Sequence, residues 1–427
     1  MNEIKASYWQ REAGWRDRWS DSTTPRTVDF AIIGGGLSGL TTAIRLRDLH
    51  PGADIVLLEA ERVGYGASGR NGGFLSPLAA PVWLLGAERC PEQAWAATRI
   101  NDEVHATARW LSDHVPDAEL RAARFSIEAT GRLSDCGLSQ LAEVVDSIGL
   151  VHRIAKSRAR PGRRFLELDA YTVQPYKLVL ALAHRAARAG VHICERARVR
   201  AVEAAPIGAR VRLATDAEIL ARRVIVCTNA YTSSVDVGER VRAVVVHNYM
   251  LASAPLDRSV LARIMRDGDF TLELNTAQVF HRLHDNRILY GGIDTLFAPA
   301  GGDFDVPERV RSRLGKLFDA SFPRTHIAAT EAWGGTYHST ATELPIIRPS
   351  RSNPAVILNV GYGGTGVALA LACARLAAGL ATGDKLASTD DERLLSIIQR
   401  TKFSVRDATR AIARLVWNLS RRPGRFA

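Results

Sequence analysis

Gly34, Gly36 and Gly39 stand in the spacing G-x-G-x-x-G, directly after the apolar run Val28-Asp-Phe-Ala-Ile-Ile33 and at the start of a helical pattern. The first glycine permits a tight turn and the second lets backbone approach a pyrophosphate. The third lets the helix pack close to the strand, so that its N-terminus faces negative charge. A second apolar run, Ile55-Val-Leu-Leu58, ends in Glu59, twenty positions after Gly39. There a carboxylate accepts hydrogen bonds from ribose hydroxyls and repels a 2′-phosphate. Strand, glycines, helix and acid together read as a dinucleotide cradle.

Two further glycine-rich stretches carry chemistry. The loop Arg62-Val-Gly-Tyr-Gly-Ala-Ser-Gly-Arg-Asn-Gly-Gly73 holds five glycines, more than a short turn needs, and lets backbone lie against something flat or charged. Near the end, Val356-Ile-Leu-Asn-Val-Gly-Tyr-Gly-Gly-Thr-Gly-Val367 repeats the order strand, glycine turn, helix, with the helix running to about Ala381. A second helix N-terminus is thereby offered to the ligand.

The elements that must position these turns follow from periodicity. Helices are predicted over Glu92–Ser112, Leu138–Ile148 and Pro175–Ala189, the last stopped by Gly190. Strands are predicted at Val191–Cys194, Val199–Glu203, Ala209–Leu213 and Val224–Ala230. Alternation from Arg242 to Tyr290 predicts an antiparallel sheet outside the dinucleotide lobe. The fold class is therefore α/β with mixed α+β character: a Rossmann-like lobe and a mainly antiparallel, sheet-based substrate lobe. At 427 residues two lobes are expected. Both are discontinuous, with 1–76, 170–240 and 325–427 in the cofactor lobe and 77–169 and 241–324 in the substrate lobe.

The formal net charge of +11 is spread along the chain, which argues against nucleic acid as a partner. Its densest part is the tail from Arg400, with eight Lys or Arg against Asp407 and apolar residues near helical spacing. The tail reads either as a basic helix docked on its own domain or as a peripheral membrane or partner contact, the former preferred because the apolar stripe is short. No transmembrane segment is expected, since the apolar run Val367–Ala381 is interrupted by Arg375. Five cysteines lack metal spacing and read as core thiols, which suggests a cytoplasmic protein. His281 and His284 point to opposite faces of a strand, which argues against a metal site. The early Trp9, Trp15 and Trp19 are expected to form a clasp over the surface of the main body.

The cradle, Glu59, the loop Gly64-Tyr-Gly-Ala-Ser-Gly-Arg-Asn-Gly-Gly73, the segment Phe280–Gly292, Trp333-Gly-Gly335 with Leu344-Pro345, and Gly361-Tyr-Gly-Gly-Thr-Gly366 occur in that order. Over about Val28 to Leu380 the chain resembles the FAD-dependent amine and amino-acid oxidoreductases of the glycine oxidase, sarcosine oxidase and D-amino-acid oxidase superfamily. Its Ser7-Tyr8-Trp9 arm and GASGRNGG loop look most like the bacterial group that includes gamma-glutamylputrescine oxidase. The resemblance implies FAD. Gly34, Gly36, Leu37, Ser38 and Gly39 would meet the pyrophosphate, Glu59 and Ala60 the ribose, and Arg62 the adenosine side. Gly66, Ala67, Ser68, Arg70, Asn71, Gly72 and Gly73 would run along the ribityl chain and ring, with Trp333 behind them. Val199 would contact adenine, Thr228 and Asn229 would lie near the phosphates, and Gly361, Gly363, Gly364, Thr365 and Gly366 by the flavin O2 edge.

Three departures bear on activity. Gly364-Thr365-Gly366 replaces the Gly-His-Gly of many relatives, Tyr337 aligns with a glycine oxidase arginine that grips a carboxylate, and Leu289 aligns near an oxygen-activating lysine of sarcosine oxidase. The residues expected to face the ring are Tyr249, Arg282, Tyr337 and His338. Each has a structural alternative: Tyr249 as capped core, Arg282 paired with Asp285 or Asp294, His338 as a hydrogen-bonded strand residue. The implied reaction moves a hydride from the carbon next to an amine nitrogen to flavin N5 and gives an imine, with O2 as acceptor and an amine or amino-acid-like small molecule as substrate. The alternatives are a dehydrogenase passing electrons to a quinone or carrier protein, and a non-catalytic flavin-binding subunit.

Overall fold

The computed structural model describes residues 6–19, 23–77, 91–129, 135–156, 164–264, 270–274, 278–296, 305–322, 327–340, 342–383, 386 and 388–400. The basic tail beyond Arg400 lies outside them.

The first sheet has the spatial order Ile346–Pro349, Val356–Val360, Glu218–Val226, Thr27–Ile33, Ile55–Leu58, His192–Cys194. All but the Ile346–Pro349 edge are parallel, and the hairpin Val199–Ala204 with Ala209–Leu213 joins the first half of Glu218–Val226. Its central strands are nearly continuous apolar runs because both faces are covered. Helices Leu37–Leu49, Pro175–Arg188 and Gly366–Thr382 cover one face, and the hairpin covers the other. Helix Pro175–Arg188 has proline in its first turn and Gln174 capping Lys177 N at 2.7 Å. Ile33 lies opposite both Leu58 and Val226, and Val226 opposite Leu358. The turns leaving those strands therefore meet along one edge, the carboxyl edge where open α/β sheets bind ligands.

The second sheet runs Ala329–Ser339, Val244–Ser253, Arg287–Leu296, Gln278–His284, Phe270–Leu274, Arg121–Ala129, Arg164–Thr172, Phe74–Leu75, with His152–Lys156 beside Arg164–Thr172. Only Phe270–Leu274 with Arg121–Ala129 is a parallel pair. Helix Glu308–Ser321 packs on one face against Tyr249, Leu251, Ile288 and Tyr290, while Met250, Ala252, Leu289 and Trp333 line the other. Ala329–Ser339, assigned from the sequence to the cofactor lobe, pairs along the whole of Val244–Ser253 and so belongs to this sheet.

Among the described residues one segment, 363–382, is long and apolar enough to cross a membrane, but it lies largely within the core. Arg375, the charge inside it, is answered by Glu103 at 3.1 Å and by Asp391. These are the marks of an internal helix.

The N-terminal arm departs from the surface clasp expected of it. Ser7 caps the short helix Tyr8–Glu12, and Trp9 is completely buried. Ser7 Oγ donates to Gly69 O at 2.7 Å, Trp9 Nε1 to Asn71 O at 2.8 Å and Gln10 Nε2 to Gly64 O at 2.9 Å. A glycine-rich loop has few side chains with which to satisfy its own buried carbonyls, and the arm supplies the donors.

Candidate active site

The first glycine turn fits a dinucleotide by close measurement. Gly34 has φ +113°, and a Cβ there would lie 2.8 Å from the Cys227 carbonyl oxygen. A Cβ on Gly39 would fall 2.0 Å from Gly34 O, so the third glycine does bring helix against strand. At Gly36 the near neighbour is Ser68 Oγ, which accepts the hydrogen bond of Leu37 N at 3.0 Å. This serine thereby occupies the helix N-terminus, the place an anion would take.

Glu59 accepts from Gly35 N at 2.7 Å and from Glu61 N at 2.9 Å. Its burial pushes the carboxyl up to about 7. Arg62 turns to the N-terminal arm, bonding Asp17 and lying 5.2 Å over the Trp15 ring. Val199 is buried at the start of the hairpin. Thr228 Oγ1 shares a proton with Thr232 Oγ1 at 2.9 Å, and Asn229 Oδ1 accepts from Gly361 N at 3.0 Å, tying the early strands to the late turn.

Asn359 and Tyr231 escaped the sequence reading. Asn359 Nδ2 donates to Ser38 Oγ at 2.9 Å and Thr42 Oγ1 at 3.2 Å, while Tyr362 OH donates to its Oδ1. It pins both glycine turns, and its signal was an amide inside the otherwise apolar run Val356–Val360. Tyr231 lies against Gly66, and its buried hydroxyl has no partner among the described residues. A dinucleotide laid along this loop would give such a hydroxyl something to bond. Together with the cleared Cβ positions and Glu59 held by the Gly35 and Glu61 N–H groups, it makes the residues present a fit for FAD.

The loop itself is knitted by its own side chains. Asn71 Nδ2 donates to Ala67 O at 3.1 Å and Ser68 O at 2.9 Å, and its Oδ1 accepts from Gly73 N at 2.8 Å. Arg70 is buried, donates to Tyr65 O at 2.9 Å and Gly334 O at 3.3 Å, and is lowered to about 10 by desolvation. Trp333 Nε1 returns a bond to Arg70 O at 2.9 Å. The loop is thus fastened to the second sheet.

Of the four residues expected at the ring, the structure brings one to the late glycine turn. Arg282 is a correction to both readings offered for it. Its guanidinium donates to Gly72 O at 3.2 Å, Gly73 O at 3.0 Å and Val173 O at 2.9 Å, and lies 5.3 Å over the Trp9 ring. It fastens the loop, and neither Asp285 nor Asp294 answers it. Tyr249 points to the helix-covered face, its hydroxyl 3.4 Å from Thr295 Oγ1. His338 follows Tyr337 in an extended strand, so the two cannot share a face. It is buried, and desolvation lowers it to about 4, leaving it neutral. His281 and His284 do point apart, the first toward Glu273 at 3.8 Å and the second toward Glu12 at 3.2 Å.

Tyr337 reaches the late turn: a Cβ on Gly364 would sit 3.9 Å from its hydroxyl. Its phenol is hydrogen-bonded to Asp294, which also accepts from Asn248 Nδ2 at 2.8 Å. Burial raises the Asp294 carboxyl to about 6 and holds the phenol well above its usual range. Asn248 lies opposite Asp294 on one side and Gly335 on the other, so three adjacent strands supply the group. All three residues keep some exposed surface, as the lining of a cleft does.

The comparisons with known proteins agree with this geometry. The model of the FAD dependent oxidoreductase family, DAO, matches residues 29–380. The chain is 27% identical over 402 residues to a probable oxidoreductase, OrdL, of Rhizobium meliloti (strain 1021), covering 88% of this chain and 90% of that protein. It is 26% identical over 417 residues to gamma-glutamylputrescine oxidoreductase of Escherichia coli (strain K12), covering 90% of each. The crystal structure of glycine oxidase from Geobacillus kaustophilus shares the fold, with a TM-score of 0.71 at 17% identity over 89% of this chain and 100% of that one. With two glycine turns converging on one sheet edge, an acid after the second strand held by the first turn and a family match over most of its length, the chain belongs to the DAO family of FAD-dependent oxidoreductases.

Proposed function

We propose that this enzyme oxidises a primary or secondary amine at the carbon bound to nitrogen, giving an imine that hydrolyses, with O2 reduced to hydrogen peroxide. FAD, when bound, supplies the hydride acceptor. One observation carries the reading: the late glycine turn meets, through Tyr337, a sheet face on which Tyr337, Asp294 and Asn248 form a hydrogen-bonded group with surface still exposed.

On the same face Met250, Leu289 and Trp333 are buried under Tyr8 and Trp9 of the N-terminal arm, which closes that part of the sheet to water. The backbone at Gly363–Gly366 opens the helix Gly366–Thr382, whose N-terminal dipole favours negative charge beside it. Tyr337 and Asn248 offer neutral polar contacts to a nitrogen. One sequence relative is a gamma-glutamylputrescine oxidoreductase and one protein of the same fold a glycine oxidase, names of enzymes of amines or amino acids, which supports the same class here.

The test is to reduce the purified yellow protein without oxygen using a panel of amines and amino acids while following the flavin absorption band. Bleaching by an amine, then recovery with peroxide on admitting air, is the expected result. Bleaching with slow recovery in air but fast recovery with a quinone replaces the oxidase with a dehydrogenase. No bleaching by any amine or amino acid overturns the reading.

A further inference from the structure

Asp294 is half-buried, on the sheet face that meets the late glycine turn, with an amide on one side and a phenol on the other. Both neighbours are neutral hydrogen-bond donors. No salt bridge to Asp294 occurs among the described residues, although Lys and Arg outnumber Asp and Glu by 56 to 45 in the chain. The two buried guanidinium groups of the site region are held by backbone carbonyls, Arg70 by those of Tyr65 and Gly334 and Arg282 by those of Gly72 and Val173. A partly desolvated carboxylate without a cation is costly unless something answers it. The residue keeps exposed surface, so that a ligand can reach it from solvent.

We propose that Asp294, oriented by Asn248 and Tyr337, is the anchor for a cationic ammonium group of the substrate, so that the site selects amines and rejects carboxylates. This rests on the amine reading and narrows it. Asn248 and Tyr337 are positioning residues: each donates to the carboxylate, fixing which lone pairs remain for the ligand. The site is thereby of the opposite sign from one built on an arginine. An amino acid presenting its carboxylate here meets a like charge, whereas a diamine, or an amine with a second cationic nitrogen, is held at one end while the other end is presented to the cofactor.

The titratable groups facing Asp294 are Tyr337 on the adjoining strand and, through that phenol, Glu343 at the late turn. Tyr337 is kept neutral by burial, and Glu343 adds negative potential. Neither becomes cationic at any pH, so the change of charge that matters is that of Asp294 itself.

The probe is tert-butylammonium, which has no hydrogen on the carbon bearing nitrogen and cannot be oxidised. Pivalate is its anionic counterpart and tert-butanol its neutral one. Binding to the FAD-loaded enzyme is read from the flavin difference spectrum and by calorimetry. The expected order is ammonium over alcohol over carboxylate. Asp294→Asn should weaken the ammonium by roughly 30-fold or more, as loss of one partner of a desolvated pair does. In the unaltered enzyme the ammonium should release as pH falls through about 6, where the carboxylate takes up a proton, while tert-butanol binding stays level. The wild-type pH series decides the matter even if the variant fails to fold. Equal binding of ammonium at pH 5 and pH 8, preference for pivalate, or unchanged affinity in Asp294→Asn each overturns the proposal. If amines still bleach the flavin in that event, the oxidase reading stands without it.

Discussion

The two walls of the site are made of different material. On the first-sheet wall the working surface is backbone: turns at Gly34–Gly39 and Gly361–Gly366, pinned from beneath by Asn359 and Asn229. On the second-sheet wall it is side chains, Asn248, Asp294 and Tyr337, standing on strands whose backbone is already spent on the ladder. A backbone wall holds what every member of a cofactor class shares, a pyrophosphate and a ribose. A side-chain wall can change with the substrate while the sheet beneath stays fixed. Substitutions on the two walls should therefore fail in different ways.

The largest effect is expected on the backbone wall. Gly39→Ala places a methyl 2.0 Å from a carbonyl oxygen of the same turn, and neither backbone can yield without separating helix from strand. A cost of about 3 kcal/mol or more is expected, with loss of bound FAD, seen as colourless protein and a lowered thermal midpoint. Gly315→Ala, in a partly exposed helical position with nothing within 4 Å, is the matched control and should stabilise by about 0.5–1 kcal/mol. A yellow, stable Gly39→Ala protein would show that this wall tolerates side chains.

Arg282 stands on a second-sheet strand and fastens the end of the glycine-rich loop to it. Arg282→Met should leave three buried carbonyls short of a donor and remove the cation over Trp9, costing about 2–4 kcal/mol. Its signature is a lower thermal midpoint with little change in KM for whatever enzyme remains folded. An unchanged midpoint with a large rise in KM would instead make it a substrate contact.

Asp294→Asn separates stability from recognition on the side-chain wall. The carboxyl has a folded value of about 6 against an ordinary 3.8, so folding favours its protonated form. The resulting penalty on the native state is absent below the unfolded value, grows as pH rises between the two, and is complete above about 6. The variant should be as stable as the parent near pH 3.5. It should be about 1–2 kcal/mol more stable at pH 8, the full shift being discounted because the residue touches solvent. Urea unfolding at the two pH values measures this. A variant less stable at pH 8 would mean that the carboxylate has a structural cation after all.

What could be read from the sequence divides along the same line. Gly34, Gly36, Gly39 and Glu59 are legible because a backbone site needs glycines at fixed spacing along one continuous segment, and their neighbours in space are their neighbours in sequence. The Asp294 group is not. It depends on Asn248, Asp294 and Tyr337 coming level across three strands, and the irregular register between Tyr249 and Met250 decides which residues share that face. Tyr249, Arg282 and His338 were misplaced for the same reason, since residue type suggests chemistry and register decides where it points. The arm failed differently: scattered tryptophans suggest a packing surface, but only the fold shows that Trp9, Ser7 and Gln10 complete the loop from behind.

The smallest expected effect tests whether Ser68 stands in for a ligand. Its hydroxyl accepts from Leu37 N at the opening of helix Leu37–Leu49, where Gly36 offers no capping side chain. In the FAD-free protein Ser68→Ala should therefore cost about 0.5–1 kcal/mol, the usual worth of a lost N-cap oxygen. With FAD bound, pyrophosphate oxygens compete for the same first-turn donors, so the cost should shrink toward zero and the FAD affinity should hold or rise slightly. Thermal midpoints of the loaded and stripped proteins give both numbers. An equal loss in the two states would mean that the serine caps the helix whether or not the cofactor is present, and that the anion site on this wall lies beside the Leu37 N–H and not upon it.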